Sequence, residues 1–313
     1  MTYQNGDDLM VVVTWLYYHE DLTHDQIASR LGIPRIKVTR LLQKARREGV
    51  VEFRITKPLP QEFELQQRLC KITKLKEAVI VQTRRTLDET LEDVGKAAAD
   101  HLDRHLRNGL RIGMGWSTTV SRMAAYIRTL KKRLAVTVYE LAGTMVGETN
   151  PYTISWIVAQ RLNARLETLS VPVLVASDET RQALLQEPRL RQTLEEVKHC
   201  DIAYVGLGNI AEDTTLVRIG LLTPADIHHI ERQGAVGEIL MRYYDTEGRH
   251  IPSPWESRII SLDWEAIRQI PQIVVIAAGE HKINAITAAL RGGLCHTLVT
   301  DTDTARAVLR RLE

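Results

Sequence analysis

Three segments near the amino terminus carry apolar residues at helical spacing. Residues 9–18 (LMVVVTWLYY) predict a first helix that packs into a small core. Thr23 and Gln26 have the pattern of a capping box at the start of a second helix, and Gly32 stands where that helix would end. A third helix is expected over 35–47. Two short helices joined by a Gly-centred turn are the outline of a helix-turn-helix.

A change of pattern follows the third helix. Residues 50–55 (VVEFRI) predict a short strand that would serve as a wing, and Pro58 and Pro60 interrupt any regular element after it. We therefore expect an amino-terminal domain of residues 1–57 and a larger domain of residues 58–313.

Short β-rich runs and amphipathic helices alternate along the larger domain. Its first helix is indicated by apolar residues at roughly helical intervals, namely Phe63, Leu65, Leu69, Ile72 and Leu75. Strands are expected at 78–81, 110–114, 134–141, 168–174, 202–207, 273–277 and 297–300. Helices are expected, for example, at 87–106, 118–130, 152–162 and 283–290. This alternation predicts an α/β fold with a Rossmann-like, largely parallel sheet that helices cover on both faces.

The composition places the chain among ordinary globular proteins. Its 313 residues are 44% hydrophobic, which is enough for two domains with buried cores. The three cysteines are widely spaced, as expected in a reducing compartment. The sequence shows no secretion signal and no apolar run long enough to cross a bilayer. These observations predict a cytoplasmic protein without a membrane partner.

The positive charge is concentrated on the predicted third helix. Residues 30–47 contain seven basic residues and no acidic one, which leaves 34 basic against 39 acidic residues in the rest of the chain. Such a concentration is typical of an element that meets a polyanion. We expect double-stranded DNA to contact the following residues: Arg35, Lys37, Thr39, Arg40, Gln43, Lys44, Arg46 and Arg47.

These residues have different expected roles. Arg35, Thr39, Arg40 and Gln43 are of types that read base edges, whereas the remaining basic residues would hold the phosphate backbone. Such motifs usually act in symmetric pairs, so a homo-oligomer is expected. Two alternatives remain open: an amphipathic hairpin that only packs on its neighbour, and a protein that binds nucleic acid without sequence preference.

Four Gly-rich loops follow predicted strands, where open α/β sheets bind ligands. The loops are 113–119 (GMGWSTT), 142–145 (AGTM), 206–209 (GLGN) and 278–282 (AGEHK). Backbone N–H groups and hydroxyls in the first loop would hold an anion. In the last loop, Glu280 would bind sugar hydroxyls and Lys282 a phosphate. Asp245, at the end of another short run, could reach a ligand hydroxyl.

Other chemistry is less well supported. The first loop resembles a dinucleotide fingerprint with Glu140 as the ribose-binding acid, but Thr118 stands where the third glycine should be. His101 and His105 share a helix face without further ligands, and Asp226, His228 and His229 make an equally weak set. No Walker loop or nucleophile elbow is present. We therefore expect no metal, no cofactor and no catalytic residue.

The sequence as a whole resembles the SorC/DeoR-type sugar-binding transcriptional regulators. The resemblance is carried by 15–19 (WLYYH), 37–42 (KVTRLL), 234–240 (GAVGEIL), 279–282 (GEHK) and 298–305 (LVTDTDTA), and it extends over nearly the whole chain. It implies a winged helix-turn-helix and a second domain related to sugar-phosphate isomerases and deaminases. It also implies dimers or tetramers, and an effector, commonly a phosphorylated sugar, that alters operator binding.

By the same resemblance, the effector pocket would be lined by residues of all four loops together with Asp245. The expected effector-binding residues are Gly113, Gly115, Ser117, Thr118, Thr119, Gly143, Thr144, Gly208, Asp245, Glu280 and Lys282. The rival hypothesis is an enzyme, a sugar-phosphate isomerase or deaminase with an attached DNA-binding domain.

Overall fold

The computed structural model describes residues 6–51, 60–130, 134–144 and 153–313, and the chain divides into two compact units, Met1–Leu59 and Pro60–Glu313. The first unit contains three helices, α1 (Gly6–Tyr18), α2 (His24–Leu31) and α3 (Arg35–Arg47). They bury one small core to which every helix contributes, formed by Val13, Leu16, Ile27, Val38 and Leu42. The three helices predicted from the sequence are thus confirmed.

Local chemistry fixes the turn between α2 and α3. The Thr23 hydroxyl accepts a hydrogen bond from the Gln26 backbone N–H, and the Gln26 side chain accepts one from the Thr23 N–H. Gly32 ends α2 with a φ of 64°, a left-handed conformation that a glycine adopts without steric cost. The predicted wing at 50–55 lies mostly outside the described residues, as does most of the segment 57–60.

The second unit is built on a parallel sheet with the strand order β1-β11-β10-β5-β2-β3-β4. Its strands are β1 (Glu77–Val81), β2 (Arg111–Met114), β3 (Thr137–Glu140), β4 (Arg165–Glu167), β5 (Ile202–Val205), β10 (Ile273–Ile276) and β11 (Thr297–Asp301). An antiparallel sheet contains β6 (Gly208–Asn209), β7 (Gly237–Ile239), β8 (Arg242–Tyr244) and β9 (His250–Ile251). The predicted parallel α/β sheet is confirmed. The small antiparallel sheet was not predicted.

Helices cover both faces of the parallel sheet. They are α4 (Gln61–Ile72), α5 (Leu87–His105), α6 (Thr118–Tyr126), α7 (Thr153–Leu162), α8 (Asp178–Leu185), α9 (Pro188–Val197), α10 (Thr215–Arg218), α11 (Pro224–Arg232), α12 (Trp264–Gln269), α13 (Ile283–Arg291) and α14 (Thr302–Leu312). One core lies beneath α5, α6 and α7, and another beneath α4, α13 and the small sheet. No helix in the described part of the chain is both long and apolar enough to cross a membrane.

The prediction of a strand at 168–174 was wrong. The fourth strand occupies Arg165–Glu167, and the following residues make isolated bridges at Pro172 and Leu174 instead of a continuous ladder. Pro172 cannot donate to a ladder, and the Leu169 N–H donates to the Glu140 carboxylate at 2.8 Å. On α4, Leu65 and Leu69 are buried, whereas Phe63 and Ile72 are exposed.

The connections create a crevice at the middle of the sheet. From β2 the chain proceeds to β3 and β4 on one side, whereas β5, β10 and β11 lie on the other side. The carboxyl ends of β2 and β5, which pair directly, therefore carry loops that diverge. Ligands of open α/β sheets bind at such a switch point.

Candidate functional site

One face of α3 is exposed to solvent and carries one apolar, one polar and two basic side chains. Ile36, Arg40, Gln43 and Arg47 follow one another at intervals of four, three and four residues, so they line one side of the helix. All four are exposed, Ile36 to 64%. The opposite side of α3 packs into the small core. The helix therefore offers a continuous surface about three turns long.

The flanks of α3 are tied to the other helices of the unit. The Thr39 hydroxyl lies 3.1 Å from His24 Nδ1, and Arg35 Nε lies 3.3 Å from the exposed Asp25 carboxylate. On the other flank, Lys44 Nζ lies 3.4 Å from Asp7. Arg46, about three turns after Arg35 and on the same flank, donates a hydrogen bond to the Tyr18 hydroxyl at 2.9 Å. Lys37 is exposed. The flanks therefore carry contacts to α1 and α2, while the central line of α3 is exposed to solvent.

In the larger unit, a cavity of about 100 Å³ opens at the switch point. It is lined by Trp116, Ser117, Thr118 and Thr119 from the loop after β2 and by the 206–209 loop after β5, and Lys282 closes one side. Its volume is below the roughly 300–1,000 Å³ of pockets for drug-sized ligands, which favours a small ligand.

The amino end of α6 points at this cavity. Ser117 is its N-cap and accepts a hydrogen bond from the Val120 N–H at 3.0 Å, and the first turn of α6 contains no acidic residue. Gly206 makes this approach possible, because a Cβ on Gly206 would lie 2.5 Å from Ser117 Cβ. A helix amino end with free N–H groups and hydroxyls attracts anions.

Complementary charges face each other across the cavity. Lys282 Nζ donates to Asn209 Oδ1 at 3.0 Å, and the Glu238 carboxylate on β7 accepts a bond from the Met241 N–H at 2.7 Å. Burial lowers the pKa of Lys282, although Glu238 opposes this change, and burial raises the pKa of Glu238. Both groups are thus held partly out of water where a ligand would meet them.

Two buried polar atoms of residues that line the cavity lack a hydrogen-bond partner among the described residues. They are Trp116 Nε1 and Thr214 Oγ1. A buried polar group without a partner costs roughly 1–3 kcal/mol. A ligand that carries hydroxyl groups would supply the missing partners.

The turn between β7 and β8 borders the same cavity. Leu240 and Met241 form this two-residue turn with φ values of 52° and 63°, a left-handed conformation that is unfavourable for large side chains. Leu240 lines the cavity, and the hydrogen bond from Met241 to Glu238 holds the turn. The Glu238 carboxylate thus stabilises the turn, and Glu238 also lines the cavity.

Comparisons with known proteins reveal the relatives of this chain. The family described as "Putative sugar-binding domain" matches residues 57–310. The transcriptional regulator LsrR of Klebsiella pneumoniae subsp. pneumoniae is 32% identical over 97% of this chain and 93% of its own length. The chain belongs to the SorC/LsrR-type sugar-binding transcriptional regulators.

Two further comparisons involve a sorbitol regulator of Klebsiella pneumoniae. Its sequence is 28% identical to this SorC/LsrR-type chain, over 98% of this chain and all of its own length. The crystal structure of the full-length sorbitol operon regulator SorC from Klebsiella pneumoniae has a TM-score of 0.75 at 26% identity, and the match covers 98% of this chain and 99% of that one. The likeness therefore extends over both units of the regulator.

The structure of this SorC/LsrR-type regulator brings only some of the predicted effector residues together. Ser117, Thr118, Thr119, Gly208 and Lys282 line the cavity.

The remaining glycine-loop residues lie in the sheet or beside it. Gly113 is inside β2 against Leu141, and Gly115 packs next to Val205. Gly143 and Thr144 use their backbone N–H groups to bond Ile260 and Val171. These four residues position the loops and do not line the cavity.

The two predicted carboxylates also lie elsewhere. Asp245 closes the turn between β8 and β9, where its carboxylate accepts bonds from the Glu247 and Arg249 N–H groups at 2.9 Å. Although burial acts in the opposite direction, these bonds lower the pKa of Asp245. Glu280 borders a second cleft of about 690 Å³ beside Asp301, whose carboxylate is already bonded to Thr83 and Thr304.

The cavity is also lined by residues that were not predicted from the sequence, namely Asn209, Thr214, Glu238 and Tyr243. Asn209 belongs to the 206–209 loop, which was expected to bind a ligand because it follows a strand. Glu238 lies in the segment that carries the family resemblance, but its place opposite Lys282 depends on the small sheet, whose strands are only two or three residues long.

Proposed function

We propose that this SorC/LsrR-type regulator reads operator DNA with the exposed face of α3 and binds a small sugar or sugar phosphate in the switch-point cavity. The observation that supports this most strongly is that two residues with unpartnered buried polar atoms, Trp116 and Thr214, line a cavity that also contains a lysine and a helix amino end. Operator binding would take place in the cytoplasm.

Base reading is assigned to the central line of α3. Arg40 would donate two hydrogen bonds to a guanine, Gln43 would bond an adenine, and Ile36 would contact a thymine methyl group. Arg35 and Thr39 were expected to read bases, but they lie on a flank beside Asp25 and His24, so we assign Arg35 to phosphates and Thr39 to orienting α3. Lys37, Lys44, Arg46 and Arg47 would also contact phosphates. Because one helix covers one half-site, the regulator would act as a dimer or tetramer on a symmetric operator.

The effector would use the two ends of the cavity differently. A phosphate or another anionic group would lie between the amino end of α6 and the Lys282 ammonium. Sugar hydroxyls would donate to Glu238 and accept from Trp116 Nε1. The expected residues outside the cavity, Gly113, Gly115, Gly143, Thr144, Asp245 and Glu280, would act by shaping loops or the neighbouring cleft.

Control of DNA binding would require that the effector favour one arrangement of protomers over another. The Glu238 carboxylate accepts the Met241 N–H and so stabilises the Leu240–Met241 turn. An effector bonded to Glu238 would therefore act directly on this turn. The named relatives are transcriptional regulators, and we infer that this chain likewise catalyses no reaction and needs no cofactor.

A direct test has two steps: operator DNA is first selected with the protein, and candidate effectors are then tested for their influence on its binding. Duplexes enriched by the full-length protein from a random pool would be titrated at fixed salt, with and without each member of a panel of sugar phosphates and their unphosphorylated sugars. We expect at least one compound to change operator affinity by about 5–150-fold, the usual range of allosteric coupling. Equal affinity for enriched and random duplexes, or turnover of a sugar phosphate, would contradict the proposal.

A further inference from the structure

Three metal-ligating side chains meet beside the first strand of the parallel sheet. His101 and His105 lie one turn apart on α5, and their rings stack with centroids 4.1 Å apart. Glu77, the first residue of β1, places its Oε2 atom 3.4 Å from His101 Nε2. One ligand atom from each of the three residues lies within 4.8 Å of the other two. The sequence offered only the two histidines, and the fold adds the carboxylate.

The hydrogen bonds of the two imidazoles orient them as metal ligands. His105 Nδ1 lies 2.8 Å from the His101 carbonyl oxygen. Because a carbonyl only accepts, Nδ1 carries the proton in the neutral ring, which leaves the Nε2 lone pair available. His101 Nδ1 lies 2.9 Å from the Tyr204 hydroxyl, which can fix that ring in the same tautomer. Outer partners of this kind are typical of histidines that bind metals.

A buried atom in this cluster lacks a well-formed hydrogen bond. His101 is 0% exposed, and its Nε2 makes no well-formed hydrogen bond with any residue that the structure describes, because its 3.4 Å contact with Glu77 Oε2 is longer than the usual range of roughly 2.7–3.2 Å. The other oxygen of Glu77, Oε1, is held by Arg104 at 3.1 Å. The carboxylate is therefore oriented with Oε2 toward the histidine.

We propose that Glu77, His101 and His105 form a binding site for a divalent transition-metal ion such as Zn²⁺. Two imidazoles and one carboxylate are a ligand set that Zn²⁺ accepts, and water would complete a tetrahedral shell. Bound metal would link α5 to β1, which is an edge strand of the sheet. Because Glu77 is at the amino end of its strand, the site is separate from the effector cavity at the carboxyl ends.

The test is isothermal titration of chelator-treated, full-length protein with Zn²⁺. Wild type is expected to bind one more equivalent of Zn²⁺ per chain than either His105→Gln or Glu77→Gln. Each variant should weaken this binding by at least about 10–100-fold, the loss typical of removing even an outer-shell partner. His228→Gln is the matched control, because His228 contacts Glu212 at 2.8 Å but belongs to no three-ligand group in the described part of the chain.

A second variant separates metal binding from a folding defect. Tyr204→Phe keeps the ring that packs in the core and removes only the hydroxyl, so we expect about 10-fold weaker Zn²⁺ binding in a chain that still folds. Co²⁺ should give a visible absorption spectrum in wild type and His228→Gln that is absent from His105→Gln. No saturable Zn²⁺ binding by wild type, or equal stoichiometry and affinity in all variants, would overturn the proposal.

Discussion

Under the proposed function, recognition of an anionic effector depends most on Lys282. Replacing it with methionine keeps much of its volume while removing the ammonium that bonds Asn209 and faces Glu238. Because hydrogen bonds to charged groups are worth about 1.5–3 kcal/mol, we expect the best sugar phosphate of the panel to bind about 10–150-fold more weakly. Titration calorimetry would measure this loss.

The control for that prediction is Lys198→Met. Lys198 follows α9, where it pairs with the exposed Glu195, and its loss should leave effector affinity unchanged. Operator affinity without effector should be the same in both variants and in wild type. A Lys282→Met protein that still responds fully to the effector would place the anion elsewhere.

Arg40 and Lys44 should differ although both are cations on α3. Arg40 belongs to the exposed central line, whereas Lys44 lies on a flank near Asp7 and Glu48. Arg40→Ala should weaken operator binding by roughly 1–3 kcal/mol and relax base preference, because a bidentate base contact is lost. Lys44→Ala should weaken all sequences alike and lower the salt slope by about one unit.

Fluorescence anisotropy with the enriched duplex and with single-base variants of it would distinguish the two effects. Uniform losses from Arg40→Ala across all duplexes would mean that a different face of α3 enters the groove.

Single residues were predictable to the extent that neighbours in sequence determine their surroundings. The exposed line of α3 follows from helical spacing. The exposure of Ile36 was not predicted, because an apolar residue of an amphipathic helix usually lies in the core. Lys282, Ser117 and Thr119 follow strands directly, and they line the cavity. Glu238 and Tyr243 could not be placed, because their approach to Lys282 depends on the pairing of strands that are far from it in the sequence.

At the scale of elements, the loop after β5 packs so closely against the start of α6 that there is no room for a side chain at Gly206. Gly206→Ala would place a Cβ 2.5 Å from that of Ser117, so either α6 or the loop must shift. We expect a loss of roughly 1–3 kcal/mol in the free energy of unfolding, as for other overpacked sites. Urea denaturation would measure it, and effector affinity should fall with it.

A double variant tests the cause of this loss. Gly206→Ala with Ser117→Gly removes the clash, and glycine as an N-cap costs only a few tenths of a kcal/mol relative to serine. The double variant should therefore be more stable than Gly206→Ala alone. Additive losses would show that the two residues do not interact.

Elements with clear periodicity were predictable, and those stabilised by distant partners were not. The capping box of Thr23 and Gln26 identified the start of α2, and the apolar run that became β10 is buried throughout. The strand expected at 168–174 does not form, because Pro172 cannot donate to a ladder and the Leu169 N–H donates to the Glu140 carboxylate instead of a neighbouring strand. The strands of the small sheet are too short to show a period.

At the scale of the whole molecule, the alternation of strands and helices predicted a parallel sheet with helices on both faces, and this is what the second unit contains. The order of the strands was beyond reach, because β1 pairs with β11, more than two hundred residues away, and no local signal encodes that pairing. The switch-point cavity depends on that order, because the loops after β2 and β5 meet only where these two strands are adjacent.

The switch point also has a consequence for how such regulators diversify. The crevice exists because the connections leave β2 and β5 in opposite directions, and the ladder between these strands is made by backbone groups alone. Substitutions in the two loops can therefore alter ligand preference without disturbing the scaffold. After gene duplication, a few such changes could give one copy a new effector while α3 stays unchanged.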